Sequence, residues 1–218
     1  MKIGIAAATS FEIQPAIDFL SKKNIQPFKH EFEILITGIG LMASTYQLTN
    51  FIKTKSPAYL VQAGIGGSFN INFQPGSTFI IRDEVMGDMG VEENNSFKDL
   101  FDMGLIQPGA TPYTNGRLLN PYIADWKQAG LPIARGITVS EITTNKKRIE
   151  LLREKYNCDI ESMEGAALHY VCLQQSIPFV QIRSVSNFVG ERDKSRWKLK
   201  ESVLNLNLEL IRIIQQLP

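Results

Sequence analysis

Little in this sequence could grip a metal ion. Its 218 residues include two histidines, His30 and His169, far apart in the chain, and two cysteines, Cys158 and Cys172, at no metal-ligand spacing. Each histidine therefore reads as structural, and Cys172, on a helical stretch, reads as a buried thiol. No nucleophile elbow anchors a Ser-His-Asp arrangement. Excess charge is also lacking: 23 basic against 22 acidic residues leave a net charge of +1. Nothing there favours nucleic acid or an anionic membrane surface. The densest basic run, Lys194, Arg196, Lys198 and Lys200 around Trp197 and Leu199, reads as the solvated face of a final helix. No apolar run approaches the roughly 18 residues of a membrane span. The first residues, Met1 to Ala6, pass straight into a strand without a signal-peptide pattern, so a cytoplasmic location is expected. Linkers, repeats and low-complexity segments are missing too, which predicts one domain over residues 1–218.

What is present is an alternation of apolar runs with amphipathic stretches. Residues 3–8 suit a strand buried on both faces. Ser10 is placed as N-cap of a helix carrying Ile13, Ile17, Phe19 and Leu20, with Pro15 tolerable at its start but not in its interior. Further strands are expected at 32–37, 58–62, 78–82, 132–140 and 179–185, and helices at 42–53, 146–156, from Gly165, and at about 196–216. Residues 93–120 show little period and read as a binding loop or lid. The whole predicts an α/β fold: a mixed, mostly parallel central sheet of about seven or eight strands, flanked by about six helices.

The densest chemistry lies between Asp159 and Asp193. It reads as strand, acidic turn (Glu161-Ser162-Met163-Glu164), helix, strand, and then Ser186-Asn187 where that strand should end. Ligands in open α/β sheets bind at the carboxyl ends of strands, where Glu164 and Asn187 would sit. Glu12 stands at a similar strand-to-helix junction. For both glutamates the plain alternative is complementation of a helix dipole. Ala63-Gly64-Ile65-Gly66-Gly67 reads as a glycine turn that lets backbone amides approach a ligand. It has no Gly-Lys-Ser/Thr ending for a nucleoside triphosphate. Gly38-Ile39-Gly40 lacks the third glycine of a dinucleotide fingerprint and reads as a tight turn.

Taken in order and spacing, Glu12, the Ala63–Gly67 segment, Asp83-Glu84, Ser162-Met163-Glu164-Gly165-Ala166-Ala167 and Arg183-Ser184-Val185-Ser186-Asn187 resemble the purine nucleosidase/phosphorylase superfamily. The branch of methylthioadenosine/S-adenosylhomocysteine nucleosidases and futalosine hydrolases is the most similar. The resemblance covers nearly the whole chain and implies a nucleoside phosphorylase-like fold and cleavage of an N-ribosidic bond. Such cleavage passes through an oxocarbenium-like sugar. By resemblance Glu12 activates water and Glu164 grips the ribose hydroxyls. Met163 packs on the sugar, and Asn187 hydrogen-bonds the leaving base. Gly66, Gly67, Thr143 and Thr144 are carried over as substrate-binding positions. Adenine-cleaving relatives carry Asp where Asn187 stands. A carboxamide can donate to N7 and to a 6-oxo oxygen, which points to hypoxanthine over adenine. Relatives often carry Ser where Gly64 stands, and an aromatic with an aliphatic where Thr143 and Thr144 stand, so a rebuilt purine pocket is expected.

Neither the Ala6–Glu12 loop nor the glycine segment has a cation for phosphate, so water is expected as nucleophile. The similarity is greatest to futalosine hydrolases, which cleave futalosine to hypoxanthine and dehypoxanthine futalosine in a menaquinone pathway. A methylthioadenosine/S-adenosylhomocysteine nucleosidase, another purine nucleosidase, a phosphorylase, and a non-catalytic nucleoside-binding module are the alternatives. The resemblance implies no cofactor and no metal. It implies a small-molecule nucleoside as partner and a homodimer or higher homo-oligomer.

Overall fold

The apolar run at the amino end forms β1 (Lys2–Ala7), buried throughout from Ile3. The computed structural model of the protein describes residues 1–22, 29–93 and 96–216. After β1 come α1 (Ser10–Ser21), β2 (Glu31–Ile36), α2 (Leu41–Lys55), β3 (Tyr59–Ser68) and β4 (Thr78–Met86). A small hairpin, β5 (Gly90–Glu93) with β6 (Ser96–Asp99), and the short β7 (Leu118–Leu119) precede β8 (Ile133–Thr138). Then follow α3 (Lys146–Tyr156), β9 (Ile160–Ser162), α4 (Gly165–Gln175), β10 (Phe179–Phe188) and α5 (Leu199–Gln216).

Eight strands form one mixed sheet in the order β10-β4-β8-β9-β3-β1-β2, with β7 on β4. Five of the pairings are parallel and three antiparallel. Because β3 also pairs with β10, the strands β3, β10, β4, β8 and β9 close on themselves, while β1 and β2 extend outward. Helices α1 and α5 cover one side: Ile13, Ala16, Leu206, Leu210 and Ile213 pack with Ile3, Ile5, Val61 and Val180. Helices α2 and α4 cover the other, with Leu48, Phe51, Leu168 and Val171 against Ala6, Leu60 and Phe179. The predicted class, a helix-flanked α/β sheet of mostly parallel strands, is the observed one.

Several local expectations are corrected. The N-cap of α1 is Thr9, one residue before Ser10, and Pro15 lies inside the helix. The segment Ala63–Gly67 is no turn: it continues β3, and Gly66 is a glycine within it because a Cβ there would come within 2.7 Å of the Glu161 carbonyl on β9. Likewise β4 runs on through Asp83 and Glu84 to Met86. The stretch 93–120 contributes β6 and β7, residues 94 and 95 lying outside the described residues. Asn187 lies within β10 rather than beyond it. The described residues contain five α-helices rather than six, and α5 begins at Leu199, the basic run before it forming a short 3-10 turn at Lys194–Arg196.

Candidate active site

The carboxyl ends of β1, β3, β9 and β10 meet at one cleft of about 380 Å³. Glu12, Gly66, Gly67, Met163, Glu164 and Asn187 all line it. The two ends of the chain are thus brought together, as the motif order implied.

Glu12 is the third residue of α1 and is 7% exposed. Its Oε2 accepts from Thr9 N and Thr9 Oγ1, both at 3.0 Å, and its Oε1 accepts from Ile65 N at 3.1 Å. Three donors from two elements fix the carboxylate, while lone pairs remain for a ligand or water. The helix-end reading of Glu12 is true as far as it goes, since the bond back to the N-cap amide is half of a capping box. Ile65 N, from a different element, is what turns the side chain toward the cleft.

Glu164 is the N-cap of α4 and is 6% exposed. Its Oε1 accepts from Gly40 N at 3.0 Å, and its Oε2 lies 3.7 Å from Nη1 of Arg183. Gly40 has φ +93, a conformation a side chain would strain, so the Gly38-Ile39-Gly40 turn serves to aim an amide at Glu164. Arg183 is almost fully buried; its Nη2 donates to Gln62 Oε1 at 3.0 Å. Its guanidinium fills the place of a side chain on Gly64, where a Cβ would collide with Nη1. Gly64 therefore belongs to the support of the acids, not to the lining of the cleft.

Asn187 follows a bulge in β10 and pairs with Gly67. Its Oδ1 accepts from Ser186 Oγ at 2.7 Å, and its Nδ2 donates to the Phe188 carbonyl at 2.9 Å. One Nδ2 proton is thereby engaged. The expected pair of donations to a purine is reduced to one, shared between N7 and a 6-oxo oxygen.

Thr143 and Thr144 are not among the residues that line this cleft. They border an adjoining cavity of about 610 Å³, with Asp88, Phe97 and Arg148. Ile142 borders both cavities. His169 is fully buried, its Nδ1 bonded to the Leu118 carbonyl at 2.9 Å, and burial pulls its pKa down to about 4. Its place is structural. Glu161, which sequence reasoning passed over, lines the cleft, is 7% exposed, and accepts from Thr143 N at 3.3 Å. Its adjacency to Ser162-Met163-Glu164 was the available signal. Among the described residues, the cleft is lined by three acids, Glu12, Glu161 and Glu164, and by no lysine or arginine. No group of three or more His, Cys, Asp or Glu among the described residues could hold a metal ion.

A family profile described as Phosphorylase superfamily matches residues 2–215. A futalosine hydrolase of Thermus thermophilus is 25% identical over 189 residues, 85% of this chain and 82% of the relative. An aminodeoxyfutalosine nucleosidase of Campylobacter jejuni is 26% identical over 220 residues, 94% of this chain and 93% of the relative. Among solved structures, a native futalosine hydrolase of Helicobacter pylori superposes with a TM-score of 0.82 at 20% identity, over 100% of this chain and 98% of that one. The last likeness speaks to the fold.

Proposed function

The chain belongs to the phosphorylase superfamily, and from that premise we propose that it is an N-ribosyl hydrolase cleaving futalosine to hypoxanthine and dehypoxanthine futalosine, a step of menaquinone biosynthesis. The observation that carries the choice of water over phosphate is the lining of the cleft, which among the described residues holds three acids and no cation. A phosphate nucleophile would meet like charge in a site of low dielectric, whereas water meets a base.

In this reading Glu12 takes a proton from water as it attacks the anomeric carbon. Glu164, held by Gly40 and Arg183, accepts from the ribose hydroxyls and faces the developing positive charge. Met163 packs on the sugar. Asn187 donates a hydrogen bond to the base as it departs with the electron pair of the glycosidic bond, and the departing base takes its proton from solvent. Gly66 and Gly67 border the ligand along β3. The reaction draws on these side chains and solvent alone.

A second reading, release of adenine from aminodeoxyfutalosine or a methylthio-nucleoside, is favoured by the relative from Campylobacter jejuni, which aligns along 94% of this chain. Incubation with futalosine, inosine, aminodeoxyfutalosine and methylthioadenosine, with the released base quantified, separates the two. The first reading predicts hypoxanthine as the dominant product. Fast adenine release without hypoxanthine release would reverse it.

A homodimer or higher homo-oligomer completes the proposal. Phe11 and Ile39 line the cleft yet are 58% and 63% exposed, and Met42 and Tyr46 lie exposed on α2 just beyond. Such an apolar rim beside a site suits a second copy of the chain. No helix among the described residues is long and apolar enough to cross a membrane, and the cytoplasm is the proposed location.

A further inference from the structure

Glu161 has one oxygen without a partner. Oε1 accepts from Thr143 N, but Oε2 is buried and receives no hydrogen bond from any described residue. A buried carboxylate oxygen without a donor is costly and rare in folded proteins. Burial accordingly pushes the Glu161 carboxyl above its ordinary range, with the Thr143 bonds opposing and nearby Asp88 adding to the rise.

The sheet register says what the oxygen faces. Gly67 of β3 pairs with Glu161 of β9 on one side and with Asn187 of β10 on the other. Residues paired across a sheet project to the same face. A Cβ on Gly67 would lie 3.6 Å from Asn187 Nδ2, which fixes that face as the one carrying the carboxamide. Glu161 and Asn187 therefore flank Gly67, and Val189 Cγ2 closes over it, 3.1 Å from where a Cβ would stand. The Cα atoms of Glu161 and Asn187 stand two strand spacings apart, roughly 10 Å, the span a flat bicyclic base would bridge from one polar side chain to the other.

We propose that Glu161 is a specificity-determining residue whose Oε2 accepts the N1–H of a 6-oxopurine held at its other edge by Asn187. The inference rests on the hydrolase reading above. A 6-oxopurine carries a proton on N1 and offers the donor that Oε2 lacks. Adenine presents a bare N1 lone pair there, which faces a carboxylate acceptor to acceptor. Thr143 takes its part by steadying the carboxyl, its backbone amide holding Oε1.

The test is Glu161→Gln, assayed for kcat/KM on inosine or futalosine and on methylthioadenosine. Glutamine keeps the bond from Thr143 N and places an NH₂ where Oε2 stood, a donor against N1–H and a partner for the N1 of adenine. The 6-oxopurine value is expected to fall on the order of 10- to 100-fold while the adenine value holds or rises. Equal losses on both substrates, or no loss on either, would overturn the inference. A measurement on the unaltered protein guards against a variant that fails to fold. Hypoxanthine is expected to inhibit at least about 10-fold more strongly than 1-methylhypoxanthine, and equal inhibition overturns the inference. Hypoxanthine release by the wild type with an unchanged ratio in Glu161→Gln removes this inference alone. No hypoxanthine release from any 6-oxopurine nucleoside removes the hydrolase reading and this inference with it.

Discussion

Asn207 of the last helix reaches into the first helix at Glu12: its Nδ2 donates to the Glu12 carbonyl at 2.8 Å, and its Oδ1 accepts from Ala16 N at 3.0 Å. Ala16 N would ordinarily bond the Glu12 carbonyl directly, four residues back. Pro15 has no N–H and its ring crowds the preceding turn, and the carboxamide bonds the backbone groups beside it. The backbone under the proposed base is thereby tied to α5.

Asn207→Leu should take the carboxamide partner from both the Glu12 carbonyl and Ala16 N, in a buried position. The expected cost is about 2–4 kcal/mol, read by urea denaturation. Because Glu12 loses its tether, kcat should fall more than KM rises.

Gly64→Ala should be poorly tolerated. The added methyl would collide with Arg183 Nη1 and come within 3.1 Å of Glu12 Oε1, in a core with no room to yield. Overpacking of this kind costs about 1–3 kcal/mol, and displacing Arg183 disturbs both acids. Thermal unfolding and kcat/KM should fall together.

Glu164→Ala and Glu164→Gln should part company in stability. Alanine strips the buried Arg183 of its carboxylate, a loss of about 3–5 kcal/mol for a broken buried pair. Glutamine retains an acceptor for Gly40 N and should cost less. Both should lose most of the turnover. A stable but inactive Glu164→Gln protein, by circular dichroism melting and base release, is the expected pairing.

Glu84 predicts a pH signature. It is fully buried between Gln181 Nε2 at 2.9 Å and Thr138 Oγ1 at 3.0 Å, and desolvation raises its pKa from 4.5 to about 7 despite those bonds. A folded-state pKa above the unfolded one means that the folded protein holds the proton more tightly. Stability from this group is therefore full below about 4.5 and is lost as pH rises through about 7. The loss is at most about 3.5 kcal/mol, because each pH interval of one between the two values is worth roughly 1.4 kcal/mol. Glu84→Gln should flatten stability against pH over that window, with a residual slope of the same sign from Glu161.

The parts of this fold that could be read from the chain are those set by local period. Helix α3 spans 146–156 as predicted, because its apolar spacing and the Asn145 cap, which accepts from Lys147 N and Arg148 N, are both written locally. The convergence of Glu12, Glu164 and Asn187 was legible only through motif order, since no local pattern reports which strand ends meet. Closure of the sheet was not legible: β9 joins β3 through just two residue pairs, Gly67–Glu161 and Ser68–Ile160. The glycines of β3 misled for a physical reason. Gly64 and Gly66 stand where Arg183 and the β9 backbone approach too closely for a side chain, so they mark contact rather than a turn. Thr143 and Thr144 take their expected place from the positions of an aromatic and an aliphatic in relatives, and the cleft is bordered by Ile142.

Hypoxanthine release from futalosine in phosphate-free buffer, by the wild type and by Glu12→Gln in parallel, tests the account most directly. The wild type should turn over without phosphate and yield the free sugar product, and Glu12→Gln should be slower by about 100- to 10,000-fold. A wild type that needs phosphate and forms a ribosyl phosphate, or a Glu12→Gln protein as fast as wild type, would contradict it.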